Sequence, residues 1–228
     1  MTDQRVVIVG AGGHAREVLE ILWARRAGGD ALEPIGFLDD ADAGAGGTLN
    51  GLPVLGGLEW LEGADGEGVF AVCAVGTPAV CERLAGRVRA LGIRVASAVS
   101  PGAWIASTAV LGEGVLVFPG VVVNANAVIE DHVTLNVASS VSHDARVGRF
   151  SSVGPGARVA GNAALGDRCF LGMGASVIHG VRVGEGSVIG AGAVVIDDVP
   201  AGVTAVGVPA RVVGPASETP MARRSGRG

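Results

Sequence analysis

Large aromatic side chains are scarce in this chain: Phe, Trp and Tyr together make up 4% of 228 residues, and tyrosine is absent. A helical bundle packed on bulky rings is therefore a poor fit. Cysteine is scarce too. Cys73, Cys81 and Cys169 are odd in number, widely spaced and form no CxxC pair, which argues against a disulfide framework and a structural zinc site alike. Basic residues form no stripe and the net charge is −5, so nucleic acid and anionic membranes find no complementary surface. No uninterrupted apolar run reaches 18 residues, and no basic segment precedes an apolar one at the N-terminus. These absences set the expectation of a soluble cytoplasmic protein with neither a nucleic-acid nor a membrane partner.

What the chain has in quantity is small and branched residues. Gly fills 39 positions, and hydrophobic residues make up 49% of the chain. Such a composition favours close-packed strands and tight turns. Residues 1–96 alternate strand and helix patterns. "RVVIVG" at 5–10 is a buried-strand run that enters a glycine turn, and from Ala15 the apolar residues Val18, Leu19, Leu22 and Trp23 follow at helical spacing. "PIGFLDD" and "VFAVCAVG" read as two further strands. Pro78 opens a second helical pattern that Gly92 closes. The expectation is an α/β N-terminal domain with a small parallel sheet of Rossmann-like type.

Near Val95 the pattern changes. From Val99 to Val195 every sixth residue is aliphatic, seventeen hexads in succession without an insertion. The residue four places after each is Ala, Val, Ser or Cys. A six-residue period fits neither a helix nor a plain alternating strand; it marks a hexapeptide β-solenoid. The aliphatic and the small residue both point inward. Cys169 falls in the small column and reads as core, not as a reactive thiol. Residues 97–213 make up this domain, and 214–228, with Pro, Ser, Gly and Arg but no periodicity, read as a disordered tail.

Seven segments carry a resemblance: "VGAGGHAREVLE", "IGFLDD", "GLPVLG", "AVG", "LNVASSVSHDARVG", "VAGNAALGDRCFLG" and "VGVPAR". Together they resemble the two-domain sugar acyltransferases of the hexapeptide-repeat superfamily, over essentially residues 5–213. That group includes sialic acid O-acetyltransferases and N-acetyltransferases acting on nucleotide-linked 4-amino sugars. The resemblance implies a left-handed parallel β-helix with three walls, acetyl-CoA as acyl donor without a metal, and a homotrimer holding CoA between adjacent subunits. It also implies that His143 with Asp144 is the general base and that the Gly161 amide stabilises the tetrahedral intermediate. Asn136 would face the substrate, and Met173 and Ala191 would line the CoA groove. Where relatives often carry a second histidine that contacts acetyl-CoA, this sequence has Ser152, whose hydroxyl still donates a hydrogen bond.

Within the hexads, "VSHDARVG" puts His143 third and Asp144 fourth, in a corner facing away from the core. Charged residues occupy such corners elsewhere (Glu113, Asp131, Asp167, Glu185), so a solvated corner is the plain reading. Three walls make residues eighteen apart stack, about 4.8 Å apart by strand spacing. Gly161 then lies next to His143 in its column, and His179 lies two coils away. That is about 10 Å by the same spacing, too far for a direct pair, and no metal site follows. The sharper reading is an imidazole base with a bare glycine amide one strand away, suited to acyl transfer, with Asp144 orienting the ring.

At the front, "GAGGHA" follows a strand and opens a helix, so its N–H groups suit a phosphate. By the resemblance, Gly10, Gly12, Gly13 and His14 would lie at the phosphates and sugar of a nucleotide-sugar. Asp39 and Asp40, after the second strand, would lie at the nucleoside, and Gly76 ends the third strand at the same edge. The alternatives are a tight βα turn with a helix-start histidine, and NAD. The short domain and the absence of a hydride-transfer site disfavour NAD. The first reading is thus an acetyl-CoA-dependent N-acetyltransferase acting on a nucleotide-linked amino sugar of the 4-amino-4,6-dideoxy type. Sugar O-acetylation and a non-catalytic nucleotide-sugar-binding solenoid are the alternatives.

Overall fold

The computed structural model describes residues 4–40, 47–64 and 68–216. Its first strand, β1 (Gln4–Val9), buries both faces: Val6 and Ile8 join one apolar cluster, Val7 and Val9 the other. This is the period-two pattern of a central parallel strand covered on both sides. Helix α1 (Gly13–Ala27) closes one side with Ala15, Val18, Leu19 and Leu22. Strand β2 (Leu32–Leu38) pairs parallel to β1, and a hairpin of β3 (Thr48–Leu49) and β4 (Leu52–Gly56) extends that edge. On the other flank run β5 (Val69–Cys73), α2 (Pro78–Ala90) and β6 (Arg94–Val95).

The sheet order is β3-β4-β2-β1-β5-β6, parallel apart from the β3–β4 pair. The chain therefore leaves β1 towards one edge and β5 towards the other, which opens a crevice between their C-terminal ends. Sequence reading found β1, β2, β5 and both helices but not the hairpin. The signal was present: Asn50 (φ 45°) and Gly51 (φ 85°) form the Asn-Gly turn that two-residue hairpins favour.

From β7 (Ala98–Val99) to β23 (Val194–Val195) there are seventeen two-residue strands, each ending on the aliphatic residue of a hexad. They stack in parallel at a register of eighteen residues into three walls of a left-handed β-helix. The first wall contains Thr134–Leu135, the second Ser140–Val141 and the third Arg146–Val147. From Gly114 to Gly192 the fourth residue of every hexad has positive φ. Half of these are glycines, but Asn126, His132, Ala138, Asp144, Phe150, Asn162 and Arg168 accept the same conformation. Apart from Asn126, whose N–H donates to Thr108 Oγ1, their backbone N–H groups each reach a third-position carbonyl one coil back, as Asp144 N–H does to Ala125 O (3.0 Å). Repeated hydrogen bonds thus offset the cost of a left-handed side-chain residue.

The register tightens at the end, where Val183 bridges Val199 and Ile189 pairs with Ala205, sixteen residues on in each case. Strands β24 (Val203–Val206) and β25 (Arg211–Pro215) finish the first wall. Gly214 and Pro215, expected in a disordered tail, belong to β25 and pair with β24 through Thr204 and Val203. The remainder of that tail, 217–228, lies outside the described residues. Cys73, Cys81 and Cys169 are buried and free. Burial pushes the Cys169 thiol up to about 11, as befits a core residue.

The two domains share one apolar cluster, in which Leu22 and Ala15 meet Val115 to Phe118. Rings line the seam: His14 stacks on Phe118 at 5.0 Å and His132 on Phe150 at 4.9 Å. Arg25 donates to Ser97 O at 2.8 Å, and Arg168 pairs with Glu82 at 3.1 Å. His132 is 2% exposed and neither ring nitrogen has a partner among the described residues. Desolvation and then nearby Arg89 lower its pKa, against Asp131 and Glu113, which raise it; burial lowers that of His14 too.

Both rings fold neutral. Stability is therefore full above the ordinary histidine value of 6.5 and is lost as pH falls from there towards the lower folded values. Acidification from about pH 7 to 5 is expected to lower the melting temperature. In His132→Asn, which keeps a residue suited to φ 58°, the acid-induced drop should shrink. Melting curves at both pH values check this; an unchanged drop assigns the acid sensitivity elsewhere.

Candidate active site

Two candidate sites lie at different places on the scaffold. In the crevice between β1 and β5 is a cavity of about 460 Å³ that contains Gly10, Gly12, Gly13, His14, Asp39, Asp40 and Gly76, the whole predicted nucleotide-facing set apart from Asn136. Gly10 needs its φ of 108°, and a Cβ there would lie 3.1 Å from Ala74 O. Both α1 and α2 begin at this crevice without a side-chain cap, so their first N–H groups are available to a ligand. Asp39 Oδ2 accepts the Ala11 N–H at 2.9 Å, which fixes the glycine turn.

Asp40 is more committed than its sequence position suggested. One oxygen accepts the Leu58 N–H (3.0 Å) and the other the Arg87 guanidinium (2.6 Å), and these contacts lower its pKa. It braces the cavity wall. Sequence reading missed the α2 contribution, Val80, Arg83 and Leu84, which also line the cavity. Helical spacing from Val80 to Leu84 on the face next to Gly76 was the available signal. His14 Nε2 is buried with no partner among the described residues, beside the cavity its residue helps to line.

The second site is the corner between the second and third walls. His143 and Asp144 form its turn, as expected, and their side chains are 57% and 45% exposed. His143 Nδ1 and Asp144 Oδ2 are 2.9 Å apart, and Asn126 Nδ2 donates to Asp144 Oδ1 at 3.0 Å from one coil away. The two sequence neighbours do converge, because the left-handed φ of Asp144 (57°) turns its side chain back to the ring. These bonds, that from His143 foremost, lower the Asp144 pKa, so the carboxylate is ionised at neutral pH. An ionised acceptor on Nδ1 selects the Nδ1–H tautomer and leaves Nε2 with its lone pair.

That lone-pair edge meets Gly161. A Cβ on Gly161 would lie 2.6 Å from both Nε2 and Cε1 of His143, so any larger residue must displace the ring. His179 is nearer than backbone spacing suggested. The 10 Å expectation followed the strands, but the rings lean together over the side-chain-free glycine, and their centroids are 6.3 Å apart. Among the described residues no group of three or more potential metal ligands forms.

The structure does not bring every expected residue to this corner. Asn136, Met173 and Ala191 line up on the corner between the first and second walls. Phe118, the partner of His14, lies on that corner too, so the cavity borders it. Met173 is 64% exposed, and Asn136 Oδ1 accepts its neighbour's N–H from Val137 at 2.7 Å. Ser152 lies within the first wall, 7% exposed, away from His143.

With this geometry, comparisons with known proteins become decisive. Residues 5–88 match the family model described as the PglD N-terminal domain, and 162–197 match the bacterial transferase hexapeptide model. PerB from Caulobacter crescentus, solved with CoA and GDP-perosamine, is 37% identical, with 92% of this chain and 97% of that one covered at a TM-score of 0.83. The chain belongs to the two-domain nucleotide amino-sugar acetyltransferase family. The acetyltransferase domain of PglB from Neisseria gonorrhoeae, in complex with acetyl coenzyme A, matches at 33% identity over 92% of this chain and all of that one (TM-score 0.86). WeeI from Acinetobacter baumannii matches at 30% identity, over 91% and 99% (TM-score 0.84).

Within this family member the Asp144 contact sets the tautomer of His143. Long-range ¹H–¹⁵N spectra should show the Nδ1–H form in the wild type and a shift to the common Nε2–H form in Asp144→Ala. Identical imidazole spectra in the two proteins would remove the orienting role.

Proposed function

We propose that the protein is an acetyl-CoA-dependent N-acetyltransferase acting on the amino group of a nucleotide-linked amino sugar, of the 4-amino-4,6-dideoxy type. The observation behind this reading is the His143–Asp144 pair with its Nε2 edge turned to Gly161. Solved relatives holding CoA with GDP-perosamine, or acetyl coenzyme A, support the substrate class. The nucleotide part would sit in the β1–β5 cavity, its phosphates on the N–H groups of Gly12 and Gly13 and its sugar towards His14.

The sugar amine adds to the thioester carbonyl carbon as the carbonyl pair moves onto oxygen. His143 Nε2 removes the proton from the attacking nitrogen, and Asp144 stabilises the imidazolium. The Gly161 N–H holds the oxyanion. Collapse restores the carbonyl, breaks the C–S bond, and the CoA thiolate takes the proton from His143. Amide and CoA thiol leave, and protons balance without a metal.

The two parts of this site lie at different corners of one chain. The cavity borders the first-to-second-wall corner, and His143 lies one wall away, six residues that span at most about 20 Å. A homotrimer would bring the catalytic corner of one copy to the cavity and to Met173 and Ala191 of the next, with CoA in the groove. Among the described residues no helix is long and apolar enough to cross a membrane. Sugar O-acetylation uses the same groups and leans harder on the base, since a hydroxyl loses its proton less readily than an amine.

The test is CoA-thiol release from acetyl-CoA with UDP-, GDP- and dTDP-linked amino sugars and free sialic acid. Release with an amino-sugar nucleotide, falling about 10²–10⁴-fold in His143→Ala, is the expected result. Release with sialic acid alone converts the reading to O-acetylation. For shared sites, mixing His143→Ala with a groove variant such as Met173→Glu under subunit exchange should restore activity that neither has alone; no recovery places the whole site in one copy.

A further inference from the structure

His179 has no part in the reading above, yet its ring is one of the groups nearest the reacting position. The third residue of a hexad has a definite task at two other corners of the solenoid. Asp131 Oδ1 accepts the Glu113 N–H at 3.0 Å, and Asp167 Oδ1 accepts the Arg149 N–H at 2.9 Å. In each pair a third-position side chain takes the third-position amide eighteen residues earlier. These contacts mark where an acceptor of such an amide sits: beside the third residue of the next coil.

At Gly161 the next third-position residue is His179, and among the described residues no acceptor takes the Gly161 N–H. An oxygen accepting that amide would lie where Asp131 and Asp167 place theirs, against the His179 ring. His143 approaches the same glycine from the opposite coil, and the two imidazoles tilt at 48° with centroids 6.3 Å apart. The absent Gly161 side chain leaves the space between them open, and both rings are solvent-exposed. Imidazole, unlike the carboxylates at the matching corners, has an N–H to donate in every protonation state it adopts at neutral pH.

We infer that His179 is a second oxyanion donor, a catalytic residue that hydrogen-bonds the thioester oxygen alongside the Gly161 amide. The inference rests on the transferase reading of the same corner. When the amine adds and the carbonyl pair moves to oxygen, the Gly161 and His179 N–H groups share the charge and His143 takes the proton. When the C=O bond re-forms and the C–S bond breaks, both bonds to oxygen relax and the thiolate takes the proton from His143. His179 gains and loses no proton. The bond strengthens only as charge develops, so it lowers the barrier without tightening substrate binding.

The experiment compares wild type, His143→Ala, His179→Ala and His179→Gln for kcat and for KM of acetyl-CoA and amino-sugar nucleotide. Loss of one oxyanion donor lowers kcat by about 10²–10³-fold in a buried site, and roughly ten-fold or more is expected here, with both KM values little changed. Gln, which keeps an N–H donor, should recover part of the loss. An exposed corner side chain leaves the fold intact, which melting curves verify. Unchanged kcat in His179→Ala, with turnover lost in His143→Ala, overturns the inference and leaves the transferase reading standing. A fall confined to KM, or a Gln variant no better than Ala, also overturns it. Absence of wild-type turnover with every acceptor removes the transferase reading and this inference together.

Discussion

Every hexad between Gly114 and Gly192 turns its corner through a fourth residue of positive φ, and everything functional in the solenoid hangs on that repeat. A left-handed residue costs about 1–2 kcal/mol when it has a side chain. Each corner residue that carries a side chain offsets that cost with a hydrogen bond from its N–H to the adjacent coil. The result holds the register at eighteen residues, so side chains far apart in sequence become vertical neighbours. Asn126 reaches Asp144, Gly161 meets His143 and His179 leans towards both, each by one or two strides of eighteen. A deletion of one residue anywhere in this stretch would move every later column off its partner.

The solenoid was legible because its period is a packing rule: an aliphatic and a small residue must enter each wall, and no other fold asks for them every sixth position. The His143 corner was legible for the same reason, since the column followed from counting. Counting also misled. Strand spacing gives the distance between backbones, whereas the approach of His143 to His179 depends on ring orientation over a glycine. Ser152 and Met173 were assigned by resemblance, and periodicity placed neither relative to His143. In the first domain the strands and helices were visible as patterns, but Asp40 shows the limit. Its place after β2 suggested a ligand contact, and only the fold shows that Leu58 and Arg87 occupy it.

The two domains divide the work by what each backbone can offer. The parallel sheet supplies two helix starts at a switch point, a natural place for phosphate that does little to activate an amine. The solenoid supplies rigid corners, where a base and an amide donor can be held close with no loop to order. The seam between them is tied by stacked rings together with the Arg168–Glu82 pair, with His14 serving both the seam and the cavity. Binding at the cavity therefore acts on a side chain already packed against the solenoid.

Exposure limits what the His143 corner can do alone. His143 is 57% exposed, and in water a charge pair or an amide donor counts for little, because solvent competes and screens. The same groups gain strength once water is excluded and their dipoles are fixed before the charge develops. The surface that brings the nucleotide cavity to His143 would also cover the corner and dry it. The proposed homotrimer would then do two things at once: complete the list of groups and lower the dielectric in which they act. The single glycine between two imidazoles suits that arrangement, since its missing side chain leaves the space between the rings open. In the proposed mechanism Gly161 would thus be constrained from both sides, by the His143 ring that leaves no room for a Cβ and by the substrate oxygen its amide would reach.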